Sequence, residues 1–339
     1  MKKKSIYCVY LLFIMLSFQH KDAYASNRVT VATIGGGGAL VNVGVNQEPQ
    51  KMTNQIIEFW KGEFGKVMPY HPDLILLTEA CDRPGGLTPE EQFKYYKVRK
   101  NQVFDYFATV AKANRCYIAF GMKREENGVW WNSCIILDRE GKVAGIYNKN
   151  FPTIDEMEGG IQASKETPVF QCDFGRVACA ICFDLNFDEL RVKYEALKPD
   201  IILFPSMYHG ALEQSKWAYS CRSFFLCSFG VLTAPSEIRN PLGEVVATST
   251  NYFNYAVATI NLDRKLVHLD NNWEKLVALK KKYGKDVVVT DPGRLGVVMI
   301  TSENEKVSAD DMIKEFNIEL VDDYFNRSRD HRLQQLNLP

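Results

Sequence analysis

Three side chains in this sequence are of the types that thiol-based acyl transfer needs: a thiol, a carboxylate and an ammonium, each closing an apolar run. Cys182 follows RVACAI, Glu79 closes LILLTE and Lys149 closes GIYNK. A thiol between a buried strand and a helix start sits where open α/β sheets bind ligands and where backbone N–H groups steady a thiolate or an oxyanion. A nearby carboxylate can take and return the thiol proton, and a fixed cation can hold the developing oxyanion. Each residue has a plainer reading by itself. Cys182 could be a small buried hydrophobe, Glu79 a surface cap, and Lys149 a solvated strand end. The one-dimensional pattern does not itself show that the three converge.

Other chemistries lack their spacing. The histidines, His20, His71, His209, His268 and His331, form no H-x-x-x-H or H-E-x-x-H pair, which disfavours a zinc hydrolase. No G-x-S-x-G elbow and no G-x-x-x-x-G-K-[ST] loop occurs. Cys179 and Cys182 make one C-x-x-C with no second pair to complete a zinc or redox site. Gly35–Gly38 follows the first strand, but Leu40 breaks the dinucleotide spacing, so the run reads as a turn.

The elements that must position the three residues alternate. Arg28–Ile34 reads as an opening strand, Gln50–Met68 as an amphipathic helix and Leu74–Leu77 as a buried strand. Thr88-Pro89-Glu90-Glu91 starts a helix expected to run to about Ala113. Strands are expected over Cys116–Met122, Val129–Asp138 and Lys142–Lys149, then a loop over Phe151–Ala163 and a short Pro168–Cys172 segment. Arg176–Ile181 and Ile201–Phe204 are strands around a helix striped by Leu190, Tyr194 and Leu197, with Asn186 or Asp188 as its cap. Leu212–Ser228 reads as a helix and Val231–Ala234 as a strand, with Glu244–Ser249 and Tyr255–Asn261 as a closing pair. Past Asp263 the pattern weakens to charged, marginally helical stretches such as Trp273–Tyr283 and Ala309–Phe316. Alternating strands and helices with hairpins between them predict a layered α/β sandwich.

Composition narrows the setting. The 339 residues are 46% hydrophobic and 24% charged, ordinary for a globular chain with a large core. With 41 basic against 41 acidic residues and no basic block past the N-terminus, nothing marks a nucleic-acid surface. Lys2-Lys3-Lys4, the apolar run Tyr7–Phe18 and Ala23-Tyr24-Ala25 read as an export signal cleaved near Ser26. The run falls short of the roughly 20 residues a membrane span needs, so a periplasmic or secreted protein without a stable anchor is expected. The cysteines are scattered through apolar runs rather than set at disulfide-framework spacings.

The three motifs, in this order, resemble those of the nitrilase (carbon–nitrogen hydrolase) superfamily, whose members use a Glu–Lys–Cys triad. LILLTEA is similar to its glutamate strand, GIYNKNFPTIDEMEGG to its lysine segment and ACAICFDLNFDELRVKYEALKPDIILFPS to its nucleophile elbow. The resemblance covers about residues 28–262 and implies a four-layer αββα sandwich. With the export signal (1–25) ahead of it and the weaker pattern behind it, the chain is expected to divide into that signal, a hydrolase domain (26–262) and an extension packed on the core or on a partner subunit (263–339). The resemblance implies Cys182 as nucleophile, Glu79 as base, Lys149 with the Phe183 backbone N–H as oxyanion holders, and Glu158 as the supporting acid. Beside these, Trp131, Tyr208 and His209 are candidate pocket walls. The implied reaction cleaves a non-peptide C–N bond of a small linear amide or N-carbamoyl compound through a Cys thioester, releasing ammonia or an amine. It calls for neither a metal nor an organic cofactor, and family members pair into dimers or larger homo-oligomers. A nitrilase acting on a C≡N group, acyl transfer to an amine, and a catalytically silent binding protein stay open. The chain departs from the family at VATIGGGG, where many members have a Gln, and at Ser236–Pro241, which replaces a Gly/Ser-containing loop.

Overall fold

Both faces of the first strands are apolar, and this sets the layering. In the computed structural model, which describes residues 27–37, 41 and 47–336, β1 (Arg28–Ile34) sends Val29 and Val31 to one core and Ala32 and Ile34 to another. The leader expected over residues 1–25 lies outside the described residues. No helix among the described residues is long and apolar enough to cross a membrane.

β2 (Leu74–Leu76) and β3 (Tyr117–Glu126) run parallel to β1, and β4 (Val129–Leu137) and β5 (Val143–Asn148) continue as antiparallel hairpins. The second sheet repeats the scheme. Its strands β7 (Arg176–Cys179), β8 (Ile201–Ser206) and β9 (Phe224–Phe229) are parallel. They are flanked by β6 (Phe170–Gln171) on one side and by β10 (Glu237–Arg239) and β11 (Val245–Thr248) on the other, all antiparallel. β12 (Tyr255–Asn261) returns to the first sheet, antiparallel to β1, which fixes the orders as β12-β1-β2-β3-β4-β5 and β11-β10-β9-β8-β7-β6.

Helices cover the two outer faces. α1 (Pro49–Val67) and α3 (Gln102–Asn114) lay Ile56, Trp60, Phe64 and Phe107 on the first sheet, while α2 (Pro89–Arg99) packs beside α1. α5 (Asp188–Leu197) and α6 (Ala211–Cys221) cover the second sheet with Tyr194 and Trp217, and a short α4 (Ile154–Glu158) follows the β5 loop. Burying each such large side chain is worth roughly 1.5–3 kcal/mol. The result is α-β-β-α, with a shared apolar layer where Val31 and Leu76 meet Cys179 and Leu203.

Several local expectations change. The helix from Thr88 is two helices, broken at Lys100, which takes φ 44° at the end of α2. FFLCSF is strand β9 rather than the end of a helix. An apolar run buried on every side has no period to distinguish the two, and its burial between two neighbours decides for strand. Residues 231–234 form no strand. β11 and β12 do not pair with each other: each joins a different sheet, β11 through the unforeseen β10. The tail carries α7 (Trp273–Tyr283) and α8 (Ala309–Glu315) near where they were expected, but also a three-stranded sheet. Its strands β13 (Arg264–His268), β14 (Val287–Thr290) and β15 (Val297–Ser302) are antiparallel, and α9 (Val321–Leu336) is the last helix of the described residues. Val267, Leu279, Ile300 and Met312 form its own core, and Lys198 and Arg222 of the main body pair with its Asp322.

Candidate active site

The site lies where strand ends of the two sheets meet. β2 ends in a turn in which Ala80 takes φ 47°, and β3 crosses that turn so closely that a Cβ on Gly121 would stand 2.6 Å from the Glu79 Cα. Only glycine permits this approach. The turn is tied to β3 by the Gly121 N–H on the Thr78 carbonyl (3.1 Å) and the Cys81 N–H on the Gly121 carbonyl (2.9 Å). Glu79 is thereby buried with its carboxylate fully engaged. Oε1 accepts from Lys149 Nζ at 2.9 Å and from Asn132 Nδ2 at 2.8 Å, and Oε2 accepts the Met207 N–H at 3.1 Å.

Lys149 leaves β5 with only 1% of its surface exposed. Burial alone would lower its pKa; the carboxylates of Glu79 and Glu156 and the nearby Cys182 outweigh it and raise it, so the side chain stays an ammonium. The second carboxylate is Glu156, 2.8 Å from Lys149 Nζ, and not the expected Glu158, which is exposed at the end of α4. Helix geometry explains the shift by two residues. Thr153 caps α4, its Oγ1 accepts the Glu156 N–H, and the Glu156 carboxylate reaches back to the Thr153 N–H at 3.0 Å. This capping box turns Glu156 inward, where it also accepts from Lys123 (2.8 Å) and Asn132 (2.8 Å). Burial would raise the Glu156 pKa, but Lys149 and Lys123 hold it down at about 2. T-x-x-E in FPTIDEME is the sequence signal that identifies it. Asn132, which bridges both carboxylates, carried no such signal.

Cys182 opens a 3-10 turn (Cys182–Asn186) with φ 48°, a strained region for any residue with a side chain. The turn is held from behind by the fully buried Asp184. Its carboxylate accepts the Ile181 N–H (2.8 Å), the Tyr147 hydroxyl (2.7 Å) and the Phe151 N–H (2.7 Å), joining the thiol turn to the lysine segment. Burial pushes the Asp184 pKa up to about 6. Burial and the Glu79 carboxylate together push the Cys182 thiol up to about 12, against the pull of Lys149, the Met207 N–H and the Ser206 hydroxyl. The resting group is therefore a thiol beside a carboxylate, an arrangement in which the carboxylate can act as a base. Phe183 supplies an N–H at the opening of the turn, where helical geometry offers no internal acceptor.

Cys182, Glu79 and Lys149 line one cavity of about 350 Å³, with Phe93, Tyr96 and Met207 among its walls. The expected walls are elsewhere. Trp131 neighbours Asn132 on β4, so the strand's two-residue period turns it to the opposite face. Tyr208 is 40% exposed, and His209 packs on Phe229 and lies 3.4 Å from Glu237. Their loop enters the site through the Met207 backbone instead. The cysteines of the described residues are all free thiols, and among these residues no group of three or more His, Cys, Asp or Glu side chains is placed to hold a metal ion.

Comparison with known proteins places this geometry among relatives. A family model described as carbon-nitrogen hydrolase matches residues 39–269. The chain is 22% identical to nitrilase homolog 2 of Dictyostelium discoideum, covering 58% of this chain and 64% of that protein. It is 24% identical to pantetheinase of Bos taurus, covering 57% of this chain and 39% of that one. It thus spans less than two thirds of the length of either relative. Among solved structures, the C. elegans NitFhit protein superposes with a TM-score of 0.59 at 18% identity, over 70% of this chain and 62% of that one. An amidase from Nesterenkonia sp. superposes with a TM-score of 0.57 at 14% identity, over 70% and 91%. At these identities the two structures speak for the α/β sandwich alone.

Proposed function

The chain belongs to the carbon–nitrogen hydrolase family, and from that premise we propose that it hydrolyses a non-peptide C–N bond in a small linear amide or N-carbamoyl compound through a thioester on Cys182. The observation that carries the reading is a single ammonium, Lys149, clamped between the carboxylates of Glu79 and Glu156 beside a cavity that Cys182 lines.

Glu79 takes the Cys182 proton as the sulfur bonds to the substrate carbon, and the negative charge moves to the substrate oxygen. Lys149 and the Phe183 N–H hold that charge. Glu79 returns the proton to the departing nitrogen, the C–N bond breaks, and ammonia or an amine leaves a thioester. Water, deprotonated by Glu79, attacks the thioester carbon. The acid leaves, and the proton goes back to Cys182. Glu79 serves in both directions without leaving its place, which its three hydrogen bonds fix.

The test is ammonia release from a panel of amides, N-carbamoyl amino acids and nitriles, with intact-mass detection of an acyl adduct. Parent protein that releases ammonia and carries the adduct, beside a silent Cys182→Ala protein, is the expected result. Ammonia release that survives Cys182→Ala sinks the thioester mechanism.

A further inference from the structure

Past Glu79, the same turn delivers a second charged residue to the cavity. Three anchors hold it there. Trp60 Nε1 donates to the Cys81 carbonyl at 2.8 Å, the Tyr95 hydroxyl donates to the Asp82 carbonyl at 2.6 Å, and the Asp82 carboxylate pairs with Arg99. Arg83 comes next and lines the cavity that holds Cys182. Among the described residues it has no carboxylate partner. One Nη donates to the neighbouring Pro84 carbonyl at 3.3 Å, and its Nε is buried with no acceptor.

Tyr96 borders the same cavity, 3% exposed, and its hydroxyl is also buried without a partner. Its ring is fixed by the Arg99 guanidinium 5.1 Å from the centroid and by Trp130 at 5.5 Å. Burial raises the Tyr96 pKa to about 12, so the phenol remains a donor. A buried donor left unpaired costs about 1–3 kcal/mol, and here two of them belong to side chains that line one cavity. The remaining cations of the lining are already matched: Lys149 by Glu79 and Glu156, and Lys123 by Glu156. Asp155, the remaining acid of the lining, is exposed on the first turn of α4 and pairs with neither donor.

We propose that Arg83 and Tyr96 form a carboxylate-binding subsite, so that the site selects amides or N-carbamoyl compounds whose far end carries a carboxylate. The proposal rests on the thiol-hydrolase reading for the identity of the reacting end. The subsite itself rests on the two unpaired donors. A guanidinium and a phenol together offer charge and directed N–H and O–H groups to one acceptor group, which suits an anion over a neutral ester.

The experiment separates the two layers. Binding of succinamate, glutaramate, N-carbamoylglycine and N-carbamoyl-β-alanine, each beside its methyl ester, is measured by calorimetry on Cys182→Ala protein. At least one acid is expected to bind about tenfold or more tighter than its ester. Arg83→Gln should weaken that acid by about 10- to 100-fold while leaving the ester within about twofold. Tyr96→Phe, which keeps the ring packing, should reproduce part of the effect even if Arg83→Gln folds poorly. Equal affinity for acids and esters, or no binding by any acid, overturns the subsite. So does an Arg83→Gln loss shared equally by the ester. Acid preference without ammonia release by the Cys182 protein keeps the subsite and sinks the hydrolase reading. Release from acids and esters at equal kcat/KM does the reverse.

Discussion

The interior between the two sheets and the rim at their strand ends use the same residue type to opposite effect. Cys179 is the last residue of β7, fully buried in the shared apolar layer, and burial together with the neighbouring Cys134 raises its pKa well above the usual thiol value. Cys182, two residues beyond Ala180, is also raised, to about 12, yet it lines a cavity and faces Glu79 and Lys149. Neither is a thiolate at rest. What separates them is access and a base, and both come from leaving the strand: one turn at φ 48° moves the thiol out of the hydrocarbon layer to the rim where the charged groups collect. The C-x-x-C spacing thus marks one thiol packed in the core and one thiol that lines the cavity.

Turnover should separate the two most widely. Cys182→Ala is expected to cut ammonia release by about 10⁴-fold or more, as losing a nucleophile does. Cys179→Ala should leave kcat/KM within about threefold and instead lower stability by roughly 1–2 kcal/mol through the small cavity it opens. Chemical denaturation of both variants beside their kinetics checks this. Comparable kinetic losses would break the division between interior and rim.

Alkylation sharpens the comparison at an intermediate size. With its pKa near 12, the Cys182 thiolate fraction should rise about tenfold per pH unit, so its iodoacetamide rate should climb about 100-fold from pH 7 to pH 9. Peptide mapping should find Cys134 and Cys179 unlabelled until the protein unfolds. A rate that levels off near neutral pH would mean that Lys149 holds a resting thiolate and that Glu79 is not needed for the first proton.

What is legible in the amino-acid sequence follows the same division. Glu79, Lys149 and Cys182 each close an apolar run, and a polar group there is visible because its neighbours are not polar. The sheets were legible where strands alternate or sit between turn residues. FFLCSF was not, because a run buried on all sides carries neither period. Long-range partners left no trace either. The Met207 N–H reaches Glu79 from the loop that follows β8 of the second sheet, and Asn132 looks like any strand residue until its two carboxylates are in place. Trp131 lies on the strand beside the lysine strand, but its neighbour Asn132 takes the face of β4 that meets the two carboxylates.

The smallest expected effect concerns Glu156 and Glu158, two acids on one short helix, one turned into the rim and one into solvent. Glu156→Gln keeps the shape of the capping box but removes half of the charge that clamps Lys149, so the ammonium should shift from where the oxyanion forms. A displacement of that kind costs on the order of 10- to 100-fold in kcat, whereas Glu158→Gln should change nothing. Acid stability gives an independent reading. The folded pKa of Glu156, about 2, lies below the ordinary carboxylate value of 4.5, so its stabilisation is complete above pH 4.5 and is lost as the pH falls from there through 2. The parent should therefore lose more stability than Glu156→Gln between pH 5 and pH 2, and the two curves should converge at the acid end, while Glu158→Gln tracks the parent throughout. Parallel curves for the parent and Glu156→Gln would mean that the Lys149 clamp adds no net charge stabilisation, and the kinetic loss would then have to come from altered hydrogen bonding to Lys149, Lys123 and Asn132.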